Sequence, residues 1–312
     1  MKKKTVVVVG PTASGKTALG IHICKKFNGE VISADSMQIY KGMSVSTAKP
    51  SLDEQEGVPH HLIDFLDITE KYSVSAFCKD AKNAFDSIYK RNRLPVVVGG
   101  TGLYVDSFLS NTEFLDDASS EAVREHLRAE LDKNGIDYMY SRLKNIDPEA
   151  AEKIHPNNTV RVLRALEVFQ TTGKTITEQA RLSHAVETDI EPLFIGITYK
   201  DREKLYDRIN RRVDLMVKAG LWEEAREFFD SEPSLTALNA IGCKELKPFF
   251  DGVKGKEECI ECLKRSTRRY AKRQLTWFKR NKEIHWVYPD ETQDYLEYVD
   301  DLINKFLAGE TT

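Results

Sequence analysis

The octet "GPTASGKT" (Gly10–Thr17) is where this sequence first shows residue types spaced for chemistry. Gly10, Gly15, Lys16 and Thr17 keep the spacing G-x-x-x-x-G-K-[ST], with Pro11, Thr12, Ala13 and Ser14 between them. Glycines in such a loop let backbone N–H groups turn inward. The following helix adds its N-terminal dipole, so the loop cradles phosphate oxygens. Lys16 offers a point charge to terminal phosphates, and Thr17 offers a hydroxyl suited to Mg²⁺. A carboxylate, Asp35, follows the run "VISA", at a strand end that in an open α/β sheet faces the ligand crevice. There it is either a base beside the phosphate or the cap of a turn. The second acid of a triphosphatase is missing: the run Val96–Val98 ends in Gly99-Gly100-Thr101. Attack by a nucleophile other than water is the chemistry this combination suggests. In "GGTGLY" (Gly99–Tyr104), small residues admit a ligand or serve close packing, and Thr101 adds a hydroxyl.

Two basic stretches lie further along. "DREKLYDRINRRVDLM" (Asp201–Met216) sets Arg208 and Arg212 one helical turn apart, opposite a stripe of Leu205, Ile209, Val213 and Met216. Such a face is either solvated or reaches a diphosphate held in the loop, for which the guanidinium fork is suited. "KRSTRRYAKRQLTWFKRNK" (Lys264–Lys282) holds nine Lys or Arg and no acid. Its Tyr270, Trp277 and Phe278 suit stacking on unpaired RNA bases between phosphate contacts, or else form the buried side of an amphipathic helix. Arg124, Arg161 and Arg164 offer a second basic wall.

These residues need a scaffold, and hydrophobic periodicity supplies one. Val6–Val9, "EVISADS" and "LPVVVGGTGLY" read as buried strands, separated by helical patterns in "GKTALGIHICKKF" and "SVSAFCKDAKNAFDSIYKRNR". Continuous apolar strands alternating with helices predict a doubly wound parallel sheet covered on both faces, an α/β core of the P-loop NTPase-like kind. "SSEAVREHLRAELDKNG" and "TVRVLRALEVFQTTGK" are helical with no strand between them, whereas "PLFIGITY" returns to the sheet and "IHWVYP" is a last strand. The expected organisation is a core of residues 1–112 and 191–312 with a helical insertion at 113–190. His60-His61, before an apolar stretch, reads as a packing or polar contact rather than a metal site.

The chain has 312 residues, 41% hydrophobic and 30% charged, with net charge −3, as expected of a globular protein with a sizeable core. Its apolar runs are too short to span a bilayer and no leader pattern is visible, so a cytoplasmic location is expected. Five cysteines are odd in number and scattered, which argues against a disulfide framework. Cys259 and Cys262 lack a second ligand pair for zinc and fall in a helical pattern. No coiled-coil repeat is visible, and a monomer is expected.

Taken together, the motifs resemble the tRNA dimethylallyltransferases (tRNA isopentenyltransferases), in the short bacterial form. The resemblance spans nearly the whole chain. It rests on "GPTASGKT", "ISADSMQIYKGM" (Ile32–Met43), "GGTGLY", "HPNNTVRVLRALEV" (His155–Val168), "AIGCKEL" (Ala240–Leu246) and "TRRYAKRQLTWF" (Thr267–Phe278). It implies transfer of a dimethylallyl group from its diphosphate to the exocyclic amine of the adenosine beside the anticodon. Residues 10–17 would then hold the diphosphate with Mg²⁺ at Thr17, a nucleotide label for the same loop remaining open. Lys16 and Arg208 would share the developing charge, and Asp35 would be the base. Thr101 would line the reaction channel and touch the tRNA, while Ser36, Met37 and Gln38 would touch the extruded base. The family's other RNA-contacting segments fall on Arg124, on Val160, Arg161, Val162, Leu163 and Arg164, and on Leu238, Asn239, Ala240, Ile241, Gly242 and Cys243. A last segment covers Lys272, Arg273, Gln274, Trp277 and Lys279. The family often has Tyr where this chain has Cys243, and the eukaryotic zinc-finger extension is not seen.

Three other readings share part of this pattern. A small-molecule kinase explains the loop but not the basic C-terminal segment. A nucleotide-gated RNA-binding protein without chemistry would not need Asp35 for its function. An adenylate isopentenyltransferase would use a free nucleotide, which needs far fewer phosphate contacts than nine cationic residues supply.

Overall fold

Val6, Val7, Val8 and Val9 are all fully buried, which requires cover on both faces of the strand that carries them. The computed structural model describes residues 2–110, 117–185, 188–292 and 294–310. In it that strand is β1 (Lys3–Val9), at the centre of a six-stranded sheet. Its companions are β2 (Gly29–Ala34), β3 (His60–His61), β4 (Leu94–Gly99), β5 (Ile190–Ile197) and β6 (His285–Val287). The order is β3-β2-β4-β1-β5-β6 and every pairing is parallel. Alternation along β1 divides the core. Val7 and Val9 join the cluster under α2 (Val74–Lys90) and α3 (Gly102–Leu109). Val6 and Val8 join the cluster under α1 (Lys16–Lys26) and the C-terminal helix (Tyr295–Ala308). The predicted doubly wound core is therefore present. Pro192, inside β5, is tolerated because β6 pairs only with Ile195–Ile197 and leaves that part of the strand open on one side.

The chain forms two compact units, one of residues 1–109 and 189–312, the other of residues 110–188. The second unit holds α4 (Asp117–Ile146), α5 (Pro148–Lys153), α6 (Thr159–Thr172) and α7 (Ile176–Ala185). Leu127, Met139, Leu143, Val162 and Leu166 make its own buried core. The boundary expected at 112/113 lies outside the described residues. The first unit resumes with α8 (Arg202–Lys218), α9 (Leu221–Asp230), α10 (Leu235–Leu238), α11 (Lys247–Phe250), α12 (Lys256–Phe278) and α13 (Tyr295–Ala308). Among the described residues, no helix is long and apolar enough to cross a membrane. Cys259 and Cys262 are free thiols on α12.

The two-residue strand β3 escapes any periodicity rule, and it is held by charge. His61 Nε2 lies 2.6 Å from Glu30 Oε2, and the same carboxylate receives Arg91 at 2.7 Å and Arg93 at 2.9 Å. Burial alone would raise the Glu30 pKa, but these three partners outweigh it and bring it down to about 2. Its stabilisation is then full above the ordinary carboxylate value of 4.5 and is lost as pH falls toward about 2. Glu30→Gln is expected to cost about 2 kcal/mol at pH 7. Denaturant titration should show the gap to the parent shrinking at pH 3; a gap constant with pH would refute the electrostatic account.

Candidate active site

The loop between β1 and α1 turns back over the edge of the sheet because Gly10 takes φ 151°. A Cβ there would stand 2.2 Å from the Ile197 carbonyl oxygen, so only glycine fits against β5. Ala13 sits at φ 63° and Gly15 at φ 105°, and α1 begins at Lys16. The Lys16 ammonium rests on the Pro11 carbonyl at 2.7 Å. From α8, Arg208 donates Nε to the Ala13 carbonyl at 2.9 Å and lies over the Tyr199 ring, 5.0 Å from its centroid. Arg212, one turn later, reaches further in. It donates to Thr12 Oγ1 and to the Ala48 carbonyl, each at 3.2 Å.

Two cations thus face each other with too little anion between them. Burial, reinforced by the Arg212 guanidinium and only partly opposed by Asp35, brings Lys16 down to about 7. A bound diphosphate would restore its charge. Pyrophosphate binding is therefore expected to draw in at most about one proton per site at pH 8.5, and none through Lys16 at pH 6, where it is already protonated. Calorimetry in buffers of different ionisation enthalpy measures this as the difference between the parent and Lys16→Met. No difference at pH 8.5 would contradict it.

Asp35 stands just past β2 and does two things at once. Its Oδ1 accepts from Met37 N at 2.9 Å and Gln38 N at 3.3 Å, which is the turn-capping role, while the residue also lines the central cavity. Thr101, past β4, accepts from Ser36 N at 3.2 Å, so the loops after β2 and β4 are joined at their tips. Gln38 donates to the carbonyls of Thr47 and Ala48 at 3.2 and 3.3 Å. That wall is fixed from behind by Glu224 of α9, whose carboxylate takes the N–H groups of Ser44, Val45 and Ser46 at 2.7–2.8 Å. The enclosed space, about 310 Å³, is lined by Thr12, Lys16, Thr17, Asp35, Ser36, Met37, Gln38, Arg212, Tyr270, Arg273 and Gln274, with apolar Val31, Val98, Ile209, Val213 and Met216. A second cavity of about 850 Å³ shares Lys16, Thr17 and Arg212 and adds Arg208, Arg211 and Lys49. The arrangement can hold a diphosphate by its cations and present a carboxylate to an acceptor in the same cavity.

The chain is similar to known proteins. The family model described as IPP transferase matches residues 38–281. The chain belongs to the IPP transferase family. A tRNA dimethylallyltransferase of Thermoanaerobacter sp. (strain X514) is 45% identical over 312 residues, 99% of each chain, so the phosphate loop and Asp35 lie within that similarity. A solved tRNA isopentenylpyrophosphate transferase from Bacillus halodurans is 41% identical, with TM-score 0.74, covering 99% of this chain and 98% of that one. A solved eukaryotic dimethylallyltransferase acting on tRNA is 31% identical, with TM-score 0.83, covering 99% of this chain and 80% of that one.

In this member of the IPP transferase family, the cavity gathers much of the expected site. Lys16, Thr17, Asp35, Ser36, Met37, Gln38, Asn239, Ile241, Arg273 and Gln274 line it. Thr101 and Leu238 do not, and nor does Arg208, where Arg212 takes the inner position. The sequence already placed both on one face, and the deeper one could have been preferred only by knowing which end of α8 meets the loop. Ala240, Gly242 and Cys243 are buried, so their part is to shape the turn beside Ser46. Trp277 is not a free stacking surface. Its Nε1 donates to Asp106 at 2.9 Å, Arg280 covers its ring at 4.0 Å, and its indole fills the space a Cβ on Gly102 would need. Phe278 is core. Lys272 and Arg273 remain exposed on α12, and Lys279 is exposed just past its end.

In the second unit, Val160 and Arg161 are exposed at the start of α6, whereas Val162 is fully buried and packs that unit's core. Arg124 and Arg164 converge on the buried Glu167 at 2.8 and 2.6 Å, so a phosphate there would compete with a carboxylate. No cluster of three or more His, Cys, Asp or Glu side chains among the described residues could hold a metal. Mg²⁺ does not need one. It binds through one or two protein oxygens plus substrate phosphates, and the exposed Thr17 hydroxyl at the first turn of α1, lining both cavities, fits that donor set.

Proposed function

We infer that this chain prenylates tRNA, moving a dimethylallyl group from dimethylallyl diphosphate to the exocyclic amine of the adenosine beside the anticodon. The observation that carries this reading is a cavity that brings Asp35 together with Lys16 and Arg212, with no acid at the end of β4 to direct water. Residues 10–17 hold the diphosphate. Lys16 and Arg212 neutralise the oxygens, and Arg208 steadies the loop at Ala13 from outside. Mg²⁺, held by Thr17 and the diphosphate, would supply further charge neutralisation of the leaving group. The adenine amine forms a bond to the allylic carbon as the carbon–oxygen bond breaks, and the electron pair departs on the diphosphate. Asp35 takes the amine proton, with its Oδ1 fixed by the turn so that the carboxylate keeps its aim. An aromatic amine is a poor nucleophile, so positioning by Ser36, Gln38 and Thr101 carries much of the rate.

The exposed cations of α12 are proposed to hold the RNA backbone, and within the inserted unit the exposed Val160 and Arg161 are proposed, separately, to touch RNA. Action as a monomer, in the cytoplasm where the tRNA acceptor is found, is part of this reading. The test is label transfer from radioactive dimethylallyl diphosphate with Mg²⁺. Acceptors are unmodified tRNA with an A-rich anticodon loop, the same tRNA with that adenosine changed to guanosine, and free AMP. Label is expected only in the adenosine-containing tRNA. Label on AMP alone, or on none of the acceptors from folded protein that binds tRNA, would overturn the reading.

A further inference from the structure

Gln274 is a polar residue on the buried stripe of a basic helix. It follows Ala271 and precedes Phe278 on the inward face of α12, and it is 5% exposed. A buried carboxamide needs both a donor and an acceptor, and here each comes from a different catalytic loop. Gln274 Oε1 accepts from Thr12 N at 2.8 Å, and its Nε2 donates to the Gly100 carbonyl at 3.0 Å. A Cβ on Gly100 would stand 2.1 Å from that Nε2, so the glycine is what lets the amide in. The peptide unit that supplies Thr12 N–H also supplies the Pro11 carbonyl, and that carbonyl is where the Lys16 ammonium rests at 2.7 Å. Gln274 therefore fixes the plane of the peptide that parks Lys16. The outer side of the same helix carries the exposed Arg269 and Lys272.

We propose that Gln274 is a positioning residue that couples RNA docking on α12 to diphosphate binding in the phosphate loop, acting through the Pro11–Thr12 peptide and Lys16. This rests on the reading above that α12 carries RNA. An RNA that orders the helix orders the carboxamide, and the carboxamide sets the peptide.

The experiment titrates Mg²⁺-pyrophosphate into the full chain, alone and saturated with a tRNA anticodon stem-loop. It needs no turnover, so it reads the coupling even where prenyl transfer fails. In the parent, RNA is expected to tighten pyrophosphate by about fivefold or more. In Gln274→Met the factor by which RNA tightens pyrophosphate should fall below about twofold. Gln274→Glu keeps the acceptor for Thr12 N and should retain more of the coupling than Gln274→Met. Gly100→Ala attacks the same contact from the other loop and should behave like Gln274→Met, which keeps the test open if that variant folds poorly. Coupling that survives both Gln274→Met and Gly100→Ala, or a parent with no coupling, would overturn the proposal.

Discussion

Asp35→Asn is expected to lower kcat by about 10²–10⁴-fold while leaving the melting temperature where it was. Asparagine keeps an oxygen that can accept from Met37 N and Gln38 N, so the turn after β2 survives. What it loses is the capacity to take the amine proton. Asp35→Ala removes both, and is expected to be less stable as well as inactive, since a capping side chain is worth about 1 kcal/mol. Single-turnover rates at saturating donor and RNA, set beside thermal melts of the two variants, separate the roles. If Asp35→Asn transfers at near the parent rate, the residue is a turn cap only and the base lies elsewhere.

Arg212→Met is the second large effect, a drop of about 10²–10³-fold in kcat/KM for the donor. The side chain is half-buried, directed at Thr12 Oγ1, and close enough to depress Lys16. Its removal should let the Lys16 pKa climb, so the proton uptake expected on pyrophosphate binding at pH 8.5 should shrink in the same variant. Arg212→Lys should not rescue the rate, because one ammonium cannot reproduce the planar fork that spans Thr12 and Ala48. Arg208→Met should cost less, being exposed and held on Tyr199 and the Ala13 carbonyl outside the cavity. The opposite ranking of Arg208 and Arg212 would return the main charge-stabilising role to Arg208.

Several of these features were legible in the sequence, and the reason differs with the element. Continuous apolar runs made β1 and β4 legible, since a strand buried on both faces has no other way to be written, while β2 and β5 showed as shorter apolar stretches interrupted by polar residues. The phosphate loop was legible because its glycines and lysine are fixed by backbone geometry rather than by distant partners. β3 was not, being two histidines whose pairing with Val31 and Ile32 depends on the Glu30 cluster. Asp35 was left between base and turn cap, and the structure gives it the turn bonds and a place on the cavity wall together. Trp277 was left between a stacking ring and the buried side of its helix, because composition shows an aromatic among cations but not what lies against each of its faces. For Gln274 a signal existed, a polar side chain on the apolar stripe of α12, but its two partners lie in loops far away in sequence. Glu224 gave no signal, because its partners are three backbone amides.

The position of β1 at the centre of the sheet has a consequence for the newborn chain. Lys3 pairs with Ile190, and Ile197 in turn with Val287, so the first strand made waits for partners synthesised after the whole helical unit. At about 5–20 residues per second the wait between Leu109 and Val287 is roughly 10–35 s. Residues 110–188 bring their own core and can collapse during that time, whereas β1, β2 and β4 emerge early and stay incompletely covered. The helical unit is thus expected to fold first on the ribosome, with the catalytic half left until last and dependent on chaperones to keep its valine-rich strands apart.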